Sequence, residues 1–295
     1  MSTEIKPGQR LPGTPEPAFE WPGADGVTIR GDAWGDPAGR LVMLMHGGGQ
    51  TRHAWKGAGE TLGAAGYRAI AYDARGHGDS DWSPDGAYNQ DQNVEDLVAV
   101  LDALGGGPPV LVGASMGGGT SLVAIGEKRV EAAALVLVDM APKIEAEGSR
   151  KIRDFMDQKP EGFDTLEEVA AAIANYQPHR PRPRNLDGLV KNVRLGEDGR
   201  YHWHWDPRRR NRNWDMEEYR RRLESCAERI PTPALLVRGG LSDVLSEEGA
   251  RSFLEQCPHA EYVSVADAAH MVAGDRNDIF AGAVVEFLLR VAPAR

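Results

Sequence analysis

Short runs of apolar residues recur along the chain, and a polar or glycine-rich turn follows each run. Continuous apolar runs are typical of strands that are buried on both faces of a sheet. The strands predicted in this way are 41–45, 68–72, 109–112, 134–138, 234–238 and 260–265. Residues 27–34 alternate apolar and polar side chains instead, which predicts an early antiparallel strand.

The stretches between these runs place apolar residues at helical spacing. Helices are predicted at about 53–66, 93–104 and 279–290, and a further one directly after residue 115. Strands that alternate with helices imply right-handed crossovers and a sheet covered by helices on both faces. The pattern therefore predicts an α/β fold with a mostly parallel, doubly wound sheet.

Residues 143–230 interrupt this alternation. Helical pieces are predicted there at about 144–158, 165–175 and 215–228, and the stretch is too long to be a loop between two core strands. We therefore predict a core formed by residues 1–142 and 231–295, with an inserted helical cap subdomain at 143–230.

Composition and charge narrow the function class. The chain has 295 residues, 41% of them hydrophobic, and a net charge of -10, which argues against a nucleic-acid surface. No apolar run has the length of a membrane span, and the polar N-terminus lacks the apolar region of a secretion signal. The two cysteines, Cys226 and Cys257, lack the spacing of a disulfide framework or a metal site. We expect a cytoplasmic protein, monomeric or homodimeric, with a small-molecule partner and no membrane or nucleic-acid partner.

The pentapeptide Gly113-Ala114-Ser115-Met116-Gly117 lies between a predicted strand and a predicted helix. A strand that turns sharply into a helix at a serine is the geometry of a nucleophile elbow. A free serine hydroxyl is a poor nucleophile and needs a base, an orienting acid and donors for an oxyanion. The pentapeptide therefore predicts Ser115 as a nucleophile, provided that the remaining chain supplies these groups.

Side chains that follow later strands can supply the base and the acid. Active sites in open α/β sheets lie at the carboxyl ends of the strands. Asp243 and His270 follow the last two predicted strands, and the order Ser, Asp, His is the one expected with this elbow. We predict His270 as the base and Asp243 as the orienting acid. Asp139 is the competing acid, and Asp243 has an alternative role as a cap of the helix near Ser246.

Oxyanion donors are expected from two backbone amides. One is the amide of Met116, which follows the nucleophile. The other comes from the loop His46-Gly47-Gly48-Gly49, where the backbone can approach an oxyanion because side chains are absent. Gly48 is the first choice and Gly49 the second. His46 is expected to be a hydrogen-bonded residue of this loop and not a catalyst.

Together these segments resemble the α/β-hydrolase superfamily over about 20–142 and 231–295. The residues that carry the resemblance are His46 to Gly49, Asp73 to Ser80, Gly113 to Gly118, Asp243 and His270. The stretch after the serine is similar to the carboxylesterase and cofactor-free haloperoxidase/perhydrolase branch. The resemblance implies the α/β-hydrolase fold, no cofactor, and a nucleophile, acid and base at Ser115, Asp243 and His270.

Departures from other branches are equally informative. Epoxide hydrolases and haloalkane dehalogenases carry an aspartate at the elbow, where this chain has Ser115. Their activities are therefore not expected. The carbon–carbon bond hydrolases usually carry a Gly-Pro-containing oxyanion loop, which residues 47–51 do not match.

Aromatic residues of the insertion are candidates for substrate binding. Trp203 and Trp205, together with Gly49, are predicted to line an acyl or aromatic pocket. Ordinary packing inside a small subdomain is the alternative for each tryptophan. The pair His202 and His204 lacks a nearby carboxylate or cysteine set, so no metal is expected.

The sequence thus predicts a cofactor-independent serine hydrolase that acts on a small or medium carboxylic ester or lactone. Perhydrolase or haloperoxidase-like activity with the same three residues is the alternative within this class. A receptor that keeps the fold and binds a ligand with negligible turnover is the alternative from a different class.

Overall fold

The structure, a computed structural model, describes residues 7–178, 186–210, 215–275 and 277–295. Its strands are β1 Gln9–Arg10, β2 Phe19–Pro22, β3 Thr28–Trp34, β4 Leu41–Met45, β5 Arg68–Tyr72, β6 Val110–Ala114, β7 Ala134–Val138, β8 Val193–Leu195, β9 Tyr201–Trp203, β10 Ala234–Gly239 and β11 Glu261–Val265. Its α-helices are α1 Lys56–Ala64, α2 Gln90–Leu104, α3 Met116–Gly126, α4 Ala146–Asp157, α5 Leu166–Tyr176, α6 Met216–Ala227, α7 Glu247–Gln256, α8 Val272–Asp275 and α9 Asn277–Val291. In the described part of the chain, none of these helices is both long and apolar enough to cross a membrane.

The main sheet has the strand order β11-β10-β7-β6-β4-β5-β3-β2. The six strands from β11 to β5 run parallel to their neighbours, whereas β3 pairs antiparallel with β5 and β2 pairs antiparallel with β3. Because parallel strands need crossovers, helices lie between them in sequence. The prediction of an α/β fold with a mostly parallel sheet is confirmed.

Two apolar layers cover the two faces of this sheet. Met43 packs on the face that α2 and α3 cover, with Leu97 and Leu122 among its fully buried neighbours. Leu44, the next residue along β4, packs on the opposite face with residues of α1 and α9 such as Leu62. Burial on both faces explains why the sequence of β4 has no polar alternation.

The predicted boundaries hold best for the strands. Those predicted at 41–45, 68–72 and 134–138 occur with the same ends. Helix α2 begins three residues before its predicted start, because Asn89 and Gln92 form a capping box in which each side chain accepts from the other's backbone N–H. The first turn of α2 is polar, so the apolar periodicity alone predicts a start of the helix that is too late.

The insertion between β7 and β10 differs from the expected helical subdomain. It contains the antiparallel pair β8 and β9, and β1 from the N-terminus joins this pair by pairing with β8. An aromatic cluster of its own fills the insertion: Phe163, Val169, Val193, Trp203 and Trp205. Helix α6 lies within 143–230 but packs against α3, and Leu223 and Cys226 join the main core. The part that packs separately is thus narrower than 143–230 and includes residues 9–10.

Candidate active site

Ser115 occupies the turn between the end of β6 and the start of α3. Its backbone angles, φ 46° and ψ −109°, lie outside the regions that non-glycine residues favour. A Cβ on Gly113 would come within 2.3 Å of the Gly117 oxygen, and one on Gly117 within 2.4 Å of the Met45 oxygen. The flanking glycines are therefore required by close backbone packing. A strained serine held in this way is the geometry that the pentapeptide predicts.

The turn places Ser115 beside the end of the neighbouring strand β7. The Ser115 amide donates to the Val138 carbonyl oxygen at 3.3 Å. Asp139 follows Val138 directly, is fully buried, and has a positive φ of 48°. The serine and this carboxylate therefore share one edge of the sheet, because β6 and β7 are adjacent and parallel.

His270 is bound to Asp139. The imidazole Nδ1 lies 2.7 Å from Asp139 Oδ2, and the His270 side chain is 13% exposed while the carboxylate is fully buried. The carboxylate also accepts from the Gly239 amide at 2.9 Å and from the Ser242 hydroxyl at 2.5 Å. These donors fix the carboxylate and direct one oxygen to His270. The imidazole Nδ1–H is thereby engaged, and Nε2 stays available as an acceptor.

Asp243 does not reach His270, so the predicted pairing of these two residues is wrong. The Asp243 side chain is 52% exposed and its carboxylate pairs with the Lys151 ammonium at 2.9 Å. The turn after β10, closed by the Ser242 amide on the Gly239 oxygen, directs Ser242 inward and leaves the next residue at the surface. Asp139, the competing candidate, is the residue that contacts the imidazole.

The loop that follows β4 borders the serine. A Cβ on Gly47 would lie 3.3 Å from Ser115 Cβ. The Gly47 amide donates to Gln50 Oε1 at 3.0 Å, and the Gly49 amide donates to His77 Nε2 at 3.2 Å. Among the described residues, the Gly48 amide has no such acceptor. The geometry therefore favours Gly48 over Gly49 as the donor for an oxyanion.

The second predicted donor is the amide of Met116, the first residue of α3. The first N–H groups of a helix have no partner inside the helix, and the dipole of the helix favours negative charge at this end. Ser115 occupies the N-cap position of α3, yet its hydroxyl caps none of the first amides of the helix. The Met116 amide is thus free of an intrahelical acceptor beside the predicted nucleophile.

His46 is buried beneath the same loop and has two backbone partners. Its Nδ1 lies 2.8 Å from the Gly47 oxygen, and its Nε2 accepts from the Ala74 amide at 2.9 Å. Burial lowers the pKa of His46, which keeps the ring neutral. The Gly47 carbonyl and the Gly48 amide belong to one peptide group, so the ring that holds the carbonyl also orients the amide. His46 therefore has the position of a loop-fixing residue.

The two predicted pocket tryptophans have different positions. Trp205 contacts the loop, since a Cβ on Gly49 would lie 3.6 Å from its ring. Trp203 stacks on Trp205 with ring centroids 4.9 Å apart and lies in the interior of the insertion. Met156 of α4 also contacts the loop, 3.3 Å from the same Cβ position on Gly49. Trp205 and Met156 therefore border the site, whereas Trp203 supports Trp205 from behind.

Several site residues were not predicted from the sequence. Ser242, Met156, His77 and His204 all contact residues of the site, yet the sequence assigned none of them a role there. Ser242 and Met156 lie in no motif. His77 belongs to the loop Asp73 to Ser80, whose sequence is typical of a structural turn.

The predicted absence of a metal site concerned the pair His202 and His204. His202 bonds Asp198 at the surface while His204 is buried, so the two rings diverge. In the described ranges, no group of three potential metal ligands occurs.

Comparisons with known proteins agree with this architecture. The esterase Rv0045c of Mycobacterium tuberculosis is 29% identical over 253 residues, which cover 82% of this chain and 80% of that protein. The 3-hydroxybutyrate-oligomer hydrolase of Cupriavidus necator is 29% identical over 251 residues, which cover 80% and 85%. The solved structure of E-2-(acetamidomethylene)succinate hydrolase has a TM-score of 0.77 over 92% of this chain and 98% of its own, at 23% identity, which shows a common fold.

A family model extends this agreement along most of the sequence. The model described as the alpha/beta hydrolase family matches residues 41–283. The matched range includes the serine turn, Asp139 and His270, together with the whole insertion. The chain therefore belongs to the alpha/beta hydrolase family.

Proposed function

We propose that this protein is a serine hydrolase that cleaves a small or medium carboxylic ester or lactone through an acyl-enzyme. The observation that carries the proposal is the 2.7 Å contact between His270 Nδ1 and the buried Asp139 carboxylate, beside the strained turn at Ser115. A carboxylate on Nδ1 leaves Nε2 as the base for a serine hydroxyl. The names of the two relatives, an esterase and an oligomer hydrolase, support the same reaction class.

Acylation uses the groups at the strand ends. The Ser115 Oγ attacks the ester carbonyl carbon while its proton passes to His270 Nε2. Asp139 holds the required tautomer and stabilises the imidazolium that forms. The carbonyl oxygen becomes an oxyanion and accepts from the amides of Met116 and Gly48. When the tetrahedral intermediate collapses, the carbon–oxygen bond to the leaving alcohol breaks and the alcohol takes the proton from His270.

Deacylation repeats these steps with water. Water attacks the acyl carbon and gives its proton to His270 Nε2, and the same two amides receive the oxyanion. Collapse breaks the bond to Ser115 Oγ, which recovers its proton from His270. The product is a carboxylic acid, and no cofactor takes part in the proposed cycle.

The insertion supplies the apolar part of the proposed substrate site. Met156 and Trp205 contact the loop that carries Gly48, so apolar surface lies next to the position of the carbonyl oxygen. Acyl groups are bound mainly by such surface, and a few polar groups fix their orientation. This arrangement supports an acyl chain as the recognised part of the substrate.

Substrate screening with a serine variant tests the proposal. The purified protein is assayed with p-nitrophenyl esters of short and medium acyl chains and with simple lactones. Replacement Ser115→Ala is expected to lower kcat at least about 10³-fold, because the nucleophile is lost. Ser264→Ala, on the exposed side of β11, is the matched control and should keep the parent rate.

Labelling with a fluorophosphonate separates an enzyme from a ligand-binding receptor. The probe reacts with an activated serine, so we expect it to label the parent protein and the Ser264→Ala control but not Ser115→Ala. Equal hydrolysis by the Ser115→Ala variant and the parent, or an unlabelled Ser115 in the parent, would contradict the proposal. The second result together with tight binding of an ester would favour the receptor.

A further inference from the structure

Two imidazoles hold the Gly49 residue from opposite sides. The Gly49 amide donates to His77 Nε2 at 3.2 Å, and the Gly49 carbonyl oxygen lies 3.4 Å from His204 Nε2. His77 comes from the core loop after β5, whereas His204 comes from the insertion, directly after β9. Both rings are buried, at 0% and 1% exposure. The core and the insertion thus meet at one residue of the loop that borders Ser115.

The hydrogen bonds determine which nitrogen of each ring carries the proton. His204 Nδ1 accepts from the Gly78 amide at 2.8 Å, so its Nε2 is the donor to the Gly49 oxygen. His77 Nε2 accepts from the Gly49 amide, so its Nδ1 is the donor to the Arg75 oxygen at 3.3 Å. Each ring has one accepting and one donating nitrogen. A proton added to either ring would occupy its accepting nitrogen. The new N–H would then face the backbone N–H that donates to that nitrogen, and the hydrogen bond would be lost.

The surroundings keep both rings neutral. Burial lowers the pKa of His204 to about 3 and holds the pKa of His77 well below its ordinary value. Charged and titratable groups face the rings from several elements: Arg194 on β8, Asp73 after β5, Arg209 after β9, and His46 after β4. Asp73 favours the protonated form of His204, and Arg194 opposes it.

The orientation of Gly49 matters because the Gly48 amide directly precedes it in the loop. His46 fixes the peptide group between Gly47 and Gly48 through the Gly47 oxygen. The two imidazoles fix the next two peptide groups through the Gly49 amide and the Gly49 oxygen. A glycine-rich loop has many accessible backbone conformations when it is not held. The loop is therefore held at the peptide group that carries the Gly48 amide and at the two peptide groups that follow it.

We propose that His77 and His204 are positioning residues that hold the Gly48 amide in the orientation that receives the oxyanion. The proposal rests on the proposed function, because an oxyanion forms only in acyl transfer. His204 acts from the insertion, so the oxyanion site is complete only when the insertion is seated on the loop. Met156 and Trp205 add apolar contacts at the same loop.

Replacement of His204 by asparagine or by glutamine tests its two hydrogen bonds one at a time. The amide of Gln reaches the position of Nε2, so His204→Gln retains the donor to the Gly49 oxygen. The amide of Asn reaches only the position of Nδ1, so His204→Asn retains the acceptor for Gly78 and loses the donor to Gly49. The two variants are otherwise matched in polarity. Each variant keeps one of the two hydrogen bonds, and only His204→Gln keeps the bond to the Gly49 oxygen that the proposal requires.

We expect His204→Asn to lower kcat by about 10- to 100-fold with KM changed less than about 3-fold, since misplacement of a donor weakens transition-state binding alone. His204→Gln should stay within about 5-fold of the parent. His77→Gln and His77→Asn should show the same order, because Gln Oε1 replaces the acceptor for the Gly49 amide. The control is His202→Asn on β9, two residues before His204. The His202 ring contacts Asp198 at the surface, and this variant should match the parent.

Three measurements complete the test. Steady-state kinetics with a p-nitrophenyl ester gives kcat and KM, thermal unfolding shows that each variant is folded, and ¹⁵N NMR of the parent reports the imidazole tautomers. The expected spectrum shows Nε2–H for His204 and Nδ1–H for His77, with the His204 ring remaining neutral down to about pH 5. Equal kcat for folded His204→Asn and His204→Gln, a loss confined to KM, or the opposite tautomers would overturn the proposal. A parent protein that hydrolyses no ester would instead overturn the proposed function, and the tautomers would still report on the contacts.

Discussion

The molecule contains two groups of histidines that differ in what their rings contact. His270 is partly exposed and its Nδ1 is bound to a carboxylate, Asp139. His77 and His204 are buried and their rings contact only backbone groups of neighbouring loops in the hydrogen bonds described above. A carboxylate partner stabilises an imidazolium, so the first ring suits proton transfer. Backbone partners require the neutral ring, so the second group suits a fixed loop.

The comparison teaches that burial of a histidine near a nucleophile does not by itself mark a base. Among the described histidines, the three rings around the loop His46 to Gly49 are the most buried, and burial lowers the pKa of each, so they stay neutral near neutral pH. The His270 ring contacts the carboxylate through Nδ1, which leaves Nε2 as its accepting nitrogen at the edge of the sheet. The following predictions test this division, in order of the expected effect on free energy.

Removal of the charge on Asp139 is the largest expected effect. Asp139→Asn retains the shape but destabilises the imidazolium and favours the wrong tautomer of His270, so we expect kcat to fall by about 10⁴-fold. Hydrolysis of the best p-nitrophenyl ester measures the loss, and fluorophosphonate labelling should slow in parallel. A fall of less than about 10-fold in the folded variant would show that the carboxylate does not serve the base.

Acidification should destabilise the fold through the buried histidines. The pKa of His204 is about 3 in the folded protein and about 6.5 in the unfolded chain, so the unfolded chain binds the proton first. The contribution of His204 to the free energy of unfolding is therefore fully present above about pH 6.5. It falls by about 1.4 kcal/mol per pH unit as the pH falls toward 3.

Urea unfolding at several pH values between about 7 and 5 measures this slope. Between pH 7 and 5, the free energy of unfolding of the parent should fall by about 2 kcal/mol more than that of the His204→Gln variant, because glutamine does not titrate. Parallel curves for the two proteins would mean that His204 does not remain neutral in the folded state.

Loss of the Ser242 hydroxyl should have an intermediate effect. The hydroxyl donates to Asp139 Oδ2 at 2.5 Å, and its oxygen accepts from the amides of Val244 and Leu245. Ser242→Ala removes one of the donors that orient the carboxylate, and we expect kcat to fall by about 3- to 10-fold and stability by about 1 kcal/mol. Ser242→Thr retains the hydroxyl and is the control. Identical kinetics for the alanine variant and the parent would argue against this role.

Asp243→Asn should have the smallest effect. The carboxylate is about half exposed and pairs with Lys151, and exposed ion pairs contribute little to stability. We expect kcat within about 2-fold of the parent and a free energy of unfolding within about 0.5 kcal/mol. Because Asp139→Asn is the same chemical change one strand away, the two variants form a matched pair. A larger loss in Asp243→Asn would reverse the assignment of the acid.

Much of the fold followed from the sequence because its signals are local. Runs such as Leu41–Met45 are buried on both faces and contain no polar residue. The pattern of apolar residues therefore predicts both that they form strands and where the strands end. The strand-turn-helix around Ser115 is equally local, since its glycines are required by contacts within the turn. The pairing of β8 with β1 was not predicted, because these strands are short and far apart in sequence.

The choice between two aspartates shows where such reasoning stops. Asp139 and Asp243 both follow buried strands, and both satisfy the order Ser, Asp, His. The sheet order places β7 between β6 and β10, and the turn after β10 directs Ser242 and not Asp243 inward. Neither the strand order nor the direction of this turn can be derived from a single sequence.

The amino-acid sequence by itself determined the α/β layers, the strained turn at Ser115 and the candidate base His270, because each depends on local periodicity or on a short motif. The tertiary structure alone decided which carboxylate meets the imidazole, which glycine amide of the loop lacks an acceptor among the described residues, and that His204 of the insertion holds the loop beside it. These contacts join residues 28 to 155 positions apart. They depend on strand order and on the direction of turns, which only the folded chain specifies.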